Sequence, residues 1–103
     1  MTDYENLLPK EWLGMSKVYS ALGDDHRQKI LLMFKYKAEL NVTEIADKCP
    51  LTRSAVAHHL KILHDASILN RRKEGKEVFY SINKEMLHST LSNTLDYLKT
   101  LPN

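Results

Sequence analysis

Residues 41–66 contain two capped helical segments separated by a proline, which constrains the fold more than any other feature. Asn41 followed by Glu44 resembles a capping box that opens a short helix, and Pro50 ends this helix because proline cannot continue one. Thr52 is a suitable N-cap for the next helix. The inward row of that helix consists of Val56, Leu60 and Leu63. Two helices joined by a turn of about four residues predict a helix-turn-helix.

Further helices are predicted on both sides of this motif. Apolar side chains spaced three and four residues apart predict a helix over residues 10–22, after a loose arm over residues 1–9. Asp24 caps a second helix, and the same apolar spacing predicts a last helix over residues 84–101. The helix-turn-helix therefore lies between helical flanks.

A β-hairpin is predicted over residues 68–82. Two short runs flank Glu74-Gly75, and the second alternates apolar and polar side chains. The order of elements predicts one winged-helix domain over residues 1–103. Its class is mainly α (α+β): a winged helix-turn-helix with a two-stranded β-wing and terminal dimerisation helices.

Positive charge is concentrated in one quarter of the chain. Residues 52–76 carry six basic and two acidic side chains, whereas residues 1–51 and 77–103 each have a net charge of −1. A local basic patch on a nearly neutral protein is typical of a surface that binds a polyanion. A solvated charged surface is the alternative that charge alone leaves open.

The outward side of the second motif helix is predicted to contact DNA. The N-terminal residues of such a helix meet base edges in the major groove. We expect base contacts from Arg53, Ser54, Ala57 and His58. Phosphate contacts are expected from Thr52, Lys61, Arg71, Arg72, Lys73 and Lys76. The alternative for the helix is an ordinary polar surface. The alternative for the hairpin cations is that they keep an edge strand from pairing with another chain.

The terminal apolar stripes exceed what a small winged-helix core covers, which predicts a homodimer. The expected interface residues are Leu8, Trp12, Met15, Tyr19, Leu87, Leu91, Leu95 and Leu98. A two-fold axis would place the recognition helices about 34–36 Å apart, on an imperfect palindrome. The alternative is that both helices fold back on their own protomer.

Three segments resemble the ArsR/SmtB-type repressors. Residues 21–31 are similar to the opening "L-S-D-P-T-R-x-x-I-L", residues 51–63 to the recognition helix "L-S-Q-S-T-V-S-H-H-L-K-x-L", and residues 71–80 to the wing "R-R-E-G-R-x-V-Y-Y". The resemblance covers about residues 20–82. It implies a homodimeric winged-helix repressor that leaves its operator when an inducer binds. A small-molecule inducer in the dimer interface is one alternative, and the sequence indicates no pocket for it.

The metal ligands of that family are missing from this chain. Metal sensors carry "C-V-C" before the turn, where this chain has Asn41-Val42-Thr43. Sensors that use the last helix bind zinc through Asp and His. The corresponding positions here are Lys84, Met86, Tyr97 and Thr100, which are not the usual ligands of transition metals. We therefore expect no metal and no cofactor at the familiar sites.

The sequence favours structural roles for the remaining reactive side chains. His58 and His59 are adjacent, so on a helix they point in different directions and do not easily bind one metal ion. A metal site between protomers, through His64 or His88, is the alternative. Cys49 is the only cysteine, so it forms no intrachain disulfide, and a buried structural thiol is favoured over a redox sensor. No catalytic motif is present, so we expect no enzyme.

The predicted function is therefore sequence-specific binding of double-stranded DNA by a transcriptional regulator. A dimeric winged-helix module for protein interaction, with only non-specific DNA affinity, is the alternative. No stretch approaches 18 apolar residues, so no membrane partner is expected. Absence of signal-peptide features at the start favours a cytoplasmic location.

Overall fold

Within residues 3–103, which the computed structural model describes, the chain forms five α-helices and three β-strands. The predicted arm therefore includes two residues, 1 and 2, that lie outside the described part. The elements in chain order are α1 (Met15–Leu22), α2 (Asp25–Leu32), β1 (Leu40–Asn41), α3 (Val42–Ala46), α4 (Arg53–Asp65), β2 (Leu69–Glu74), β3 (Glu77–Ile82) and α5 (Lys84–Thr100). Single 3-10 turns occupy Tyr4–Asn6, Lys10–Trp12 and Met33–Lys35. The predicted winged helix-turn-helix is confirmed.

Side-chain caps fix the starts of the two motif helices. Asn41 Oδ1 accepts from the Glu44 amide at 2.8 Å, and Glu44 Oε1 accepts from the Asn41 amide at 3.0 Å, which completes the capping box. Thr52 Oγ1 accepts from the Ala55 amide at 3.1 Å at the start of α4. These bonds satisfy amides that otherwise lack partners in the first helical turn.

Helix α4 lies at the centre of the hydrophobic core. Its inward row is completely buried, as the sequence predicts, and it meets buried side chains from every neighbouring element. The largest of the fully buried side chains are Ile30, Ile45, Val56, Leu60, Leu63 and Ile68. Burial of one side of α4 leaves its opposite side in solvent, and this fixes the position of the candidate site.

The wing belongs to a three-stranded antiparallel sheet of order β1-β3-β2. The two wing strands agree with the predicted hairpin, but the third strand, Leu40–Asn41, is not predicted from the sequence. Leu40 is opposite Tyr80 and is buried in the core. Two residues are too few to show a period of two, so sequence periodicity gives no signal for this strand.

The first predicted helix is shorter than residues 10–22. A 3-10 turn spans Lys10–Trp12, Leu13 is extended, and α1 starts only at Met15. Gly14 separates the two parts at φ +84°, a backbone conformation that glycine adopts without steric cost. The prediction of one continuous helix is wrong because Gly14 falls inside the apolar spacing without interrupting it.

The molecule is elongated for its length. Its radius of gyration is 16.4 Å and its extents are 53 × 25 × 23 Å, whereas a compact chain of this length has a radius of gyration of about 13 Å. Part of the length comes from α5, whose second half exposes apolar side chains. None of the helices in the described residues has both the length and the apolar character that spanning a membrane requires.

Candidate nucleic-acid interface

The N-terminal half of α4 presents a continuous polar surface to solvent. Arg53, Ser54, Ala57 and His58, the four residues predicted to contact bases, are all exposed. Their exposure follows from the buried row on the opposite side of the helix. The structure thus brings these residues together on one accessible face, next to the amides at the helix start.

Arg53 is held at the start of α4 by a residue that sequence analysis missed. Its Nη1 donates to Thr43 Oγ1 at 2.7 Å. Thr43 is exposed in the first turn of α3, beyond the Asn41 cap. The guanidinium has five N–H donors, so this neutral partner leaves donors available. The outward position of Thr43 in a capped helix was a usable signal.

A cleft of about 180 Å³ separates the start of α4 from strand β3 of the wing. Arg53 and Lys76 bring cationic groups to this cleft, and Thr43 adds a hydroxyl. Its other lining residues are Asn41, Val42, Glu77 and Val78. Two cations and a hydroxyl outweigh the one carboxylate, that of Glu77, so the junction of reading helix and wing suits a phosphate oxygen.

The two adjacent arginines of β2 lie on opposite faces of the wing. Arg71 is opposite Tyr80 and Arg72 is opposite Phe79 in the register, and directly opposed residues share a face of the sheet. Arg71 therefore lies on the face that meets α4, where it lines a cleft of about 380 Å³ with Lys61 and His64. Arg72 lies on the other face.

Arg72 already has carboxylate partners. It makes a bidentate ion pair with Glu39, with Nε and Nη2 each 3.0 Å from a carboxylate oxygen, and its Nη1 is 2.7 Å from Glu74. Its guanidinium carbon lies 5.0 Å from the centre of the Phe79 ring. The hydrogen bonds from Arg72 lower the pKa of Glu39, and both carboxylates raise the pKa of Arg72. Arg72 thus ties the wing to the residue before β1.

The other wing cations are unpaired. Within residues 3–103, Arg71, Lys73 and Lys76 form no ion pair, and all three are exposed. Lys61, by contrast, is 2.8 Å from Asp65 one turn later in α4, and this contact lowers the pKa of Asp65. Three unpaired cations remain available for an anionic partner.

The predicted dimer residues are divided between the protomer's own core and its surface. Met15 is only 5% exposed in its own protomer and Leu87 is half-buried against the core, so both have less free surface than the exposed members. Trp12 is half-buried and makes an edge contact with Tyr97, with ring centres 5.5 Å apart. The exposed members are Leu8, Tyr19, Leu91, Leu95 and Leu98.

An apolar groove of about 680 Å³ lies between the N-terminal segment and α5. Three aromatic rings, those of Tyr4, Trp12 and Tyr97, contribute to its walls, and Glu5 supplies the only charged side chain among the lining residues. The remaining lining residues are Leu7, Leu8 and Pro9. This groove lies beside the exposed leucines of α5.

The side chains with metal or redox chemistry are dispersed. No three or more His, Cys, Asp or Glu side chains in the described part of the chain are grouped to hold a metal ion. His64 is 3.8 Å from Asp65, and His88 is 3.4 Å from Ser92 Oγ. Cys49 is half-buried and packs against the hydrophobic core.

Comparison with known proteins identifies the same helix-turn-helix, which includes the exposed helix α4. Residues 22–72 match a family profile described as a helix-turn-helix domain. The chain is 35% identical over 81 residues, 79% of this chain and 67% of the relative, to a cadmium resistance transcriptional regulatory protein CadC homolog of Staphylococcus aureus. It is 27% identical over 84 residues, 82% of this chain and 92% of the relative, to the transcriptional repressor SdpR of Bacillus subtilis.

Solved structures give the same result. An ArsR-like transcriptional regulator from Rhodococcus sp. RHA1 superposes with a TM-score of 0.74 at 27% identity, over 85% of this chain and 81% of that one. Reduced HlyU from Vibrio cholerae superposes with a TM-score of 0.63 at 28% identity, over 84% of this chain and 92% of that one. The fold and the outward α4 surface define a winged-helix, DNA-binding transcriptional regulator. The chain belongs to the ArsR family.

Proposed function

We propose that this chain is a homodimeric repressor that binds an imperfectly palindromic DNA operator. The observation that carries the proposal is the exposed polar half of α4 beside a wing with three unpaired cations. Such a regulator acts where the DNA is, in the cytoplasm, and it needs no catalytic group. Similarity to the transcriptional repressor SdpR supports the same function.

Base recognition is assigned to the first two turns of α4. The unused donors of Arg53 suit guanine O6 and N7, and its contact with Thr43 holds the side chain at the helix start. Ser54 and His58 offer donors and acceptors to base edges, and the Ala57 methyl suits a thymine methyl. These four residues share the accessible face that would enter the major groove.

Phosphate binding is assigned to the wing and the margins of α4. The free cations Arg71, Lys73 and Lys76 carry most of the attraction, because each neutralises a phosphate without first breaking an ion pair. The helix start capped by Thr52 supplies amides to another phosphate. Lys61 and Arg72 contribute less, since carboxylates already partner them in the free protein.

The dimer interface is assigned to the free apolar face of α5, with Tyr19 and Leu8 beside it. Leu91, Leu95 and Leu98 are each about half exposed, at 48%, 57% and 56%, and a contiguous apolar patch of this kind marks an association surface. Packing two α5 helices across a two-fold axis would cover these leucines and pair the recognition helices for successive major grooves.

Metal sensing at the family's familiar positions is not part of the proposal. Asn41 caps α3, Val42 packs against the hydrophobic core and Thr43 accepts from Arg53, so none of the three supplies a thiolate. The purified dimer is expected to bind no stoichiometric zinc or cadmium at these positions. Tight stoichiometric zinc that is lost on changing α5 would contradict this expectation.

The implied inducer is proposed to be a small molecule that acts through the groove beside α5. A volume of about 680 Å³ falls in the range of small-molecule pockets, and the groove adjoins the proposed dimer face. Trp12 is the only tryptophan, so its fluorescence reports ligands that enter this groove. Compounds that change the fluorescence without releasing DNA would contradict the assignment.

The decisive experiment is DNA binding by the purified full chain at about 0.15 M salt, a concentration that must be fixed because phosphate attraction depends on it. The chain's own upstream DNA is tested against excess random competitor. A complex retained on a short palindrome supports the repressor. Affinity equal to that for random DNA would refute it and favour the alternative of a dimeric protein-interaction module.

A further inference from the structure

Arg27 connects three helices through a single, largely covered side chain. Its side chain is only 14% exposed. Nε donates to the Ala21 carbonyl at 2.7 Å and Nη2 donates to the Ser20 carbonyl at 3.4 Å, both at the C-terminal end of α1. Nη1 lies 3.2 Å from His59 Nδ1 on α4. Arg27 itself belongs to α2, so α1, α2 and the DNA-reading helix meet at one charged group.

The contact with Arg27 determines the protonation state of His59. Arginine stays protonated in proteins and has donors only, so Nδ1 of His59 must accept the hydrogen bond. The imidazole is therefore neutral, with its proton on Nε2. Protonation would place an N–H at Nδ1, where it would face the guanidinium with a second positive charge.

The surroundings of His59 oppose its protonation. Partial burial lowers the pKa of His59, and the nearby Arg27, His26 and His58 lower it further, whereas Asp24 acts in the opposite direction. The ring of His26 on α2 lies 5.9 Å from that of His59, and the ring of His58 lies 6.2 Å away on α4 itself. Asp24 supplies the one carboxylate among these groups.

We propose that Arg27 is a positioning residue for the DNA-reading helix: it fixes α4 through neutral His59, and protonation of His59 releases α4 and lowers discrimination between operator and random DNA. This inference rests on the proposed function. His59 directly follows His58, a proposed base contact, and directly precedes the buried Leu60. A change at His59 therefore displaces the base-contacting face relative to the core.

Acidification should change the affinity for random DNA and the affinity for the operator in opposite directions, so the two effects can be measured separately. Added positive charge on the protein should strengthen binding to any DNA. Loss of the Arg27–His59 bond misplaces the helix and should weaken specific binding only. The ratio of operator affinity to random-DNA affinity therefore falls as pH falls, while random-DNA affinity rises.

The experiment compares wild type, His59→Asn and His26→Asn at fixed salt, between about pH 8 and pH 5, because histidine titrates in this range and the lowered pKa of His59 lies in its acidic part. Asparagine Oδ1 can replace Nδ1 as the acceptor but does not titrate. We expect the wild-type affinity ratio to fall roughly two- to tenfold, as for the loss of one hydrogen bond. The ratio should stay level in His59→Asn and fall as in wild type in His26→Asn. Equal pH dependence in wild type and His59→Asn would overturn the proposal.

Two measurements on the free protein need no DNA. Nitrogen NMR of wild type should show His59 with its proton on Nε2 at about pH 8, where histidine is neutral, and a proton on Nδ1 would overturn the Arg27 contact. The free energy of unfolding should fall as pH drops through the ordinary histidine value of 6.5, because the unfolded state binds the proton first. Failure to bind any DNA sequence specifically at any pH would refute both the repressor and the positioning role. The two measurements on the free protein test the Arg27–His59 contact independently of DNA binding.

Discussion

The two terminal helices carry similar apolar stripes but use them differently. Helix α1 buries Met15, Val18 and Ala21 in its own protomer, whereas the second half of α5 leaves Leu95 and Leu98 more than half exposed. The difference arises from position, because α1 packs against α2 and α4, whereas α5 meets α1 through the Tyr19–Thr94 hydrogen bond and leaves the leucines beyond it exposed. An apolar stripe therefore predicts burial, but it does not say whether the same chain supplies the partner.

A second contrast of this kind distinguishes the cations. Arg71 and Arg72 are adjacent in sequence, yet Arg71 faces α4 and has no ion pair among residues 3–103, whereas Arg72 is held by Glu39 and Glu74. Arg53 is intermediate, since its partner is the neutral hydroxyl of Thr43. Charge density in the sequence thus overstates the number of cations that are free for DNA.

The largest expected effect comes from placing a charge on the α5 face. Leu95→Glu should convert the dimer to a monomer, because the carboxylate would be buried in the interface without a partner. Loss of the second half-site should weaken operator binding by about 10²- to 10⁴-fold. Sedimentation at micromolar concentration and operator titration measure the two effects.

The matched control for this variant is Leu32→Glu, which changes a leucine of α2 that is 71% exposed and lies outside the α5 face. It should leave both mass and operator affinity unchanged. If Leu95→Glu remained a dimer, the assigned interface would be wrong and the contrast between the two terminal helices would disappear.

The corresponding change in α1 should affect folding instead of association. Met15→Ala removes a side chain that is 5% exposed, and the lost contacts and cavity should cost about 2–5 kcal/mol in the free energy of unfolding. Urea denaturation of wild type and variant measures this. A stable variant that forms monomers would show instead that Met15 lies between protomers, as the sequence alone suggested.

Local chemistry in the sequence predicted more of the fold than of the site. The caps at Asn41 and Thr52, and the buried row of α4, follow from residue types and helical spacing, and the structure contains them. The break at Gly14 and the strand at Leu40 were missed, since neither alters a periodic pattern. The ion pair of Arg72 with Glu39 joins residues 33 apart in sequence, and no spacing rule predicts such a pair.

An intermediate effect is expected at Arg53, whose partner in the free protein is neutral. Arg53→Ala should reduce discrimination at one base pair by about 1–3 kcal/mol, because a bidentate contact with guanine is lost. Competition between operator variants at that base pair measures the loss. An equal decrease for operator and random DNA would mean that Arg53 contacts phosphate.

The smallest effects should separate the adjacent arginines of the wing. Arg71→Ala should weaken binding to all sequences alike and reduce the salt slope by about one, with unfolding unchanged, since Arg71 has no carboxylate partner in the described residues. Arg72→Ala should slightly lower stability by freeing the wing from Glu39, and it should change the salt slope less. Salt titrations of random-DNA binding and urea unfolding of both variants test this. Equal slopes would show that DNA draws Arg72 away from its carboxylates, which would make the free protein's ion pairs a poor guide to the bound state.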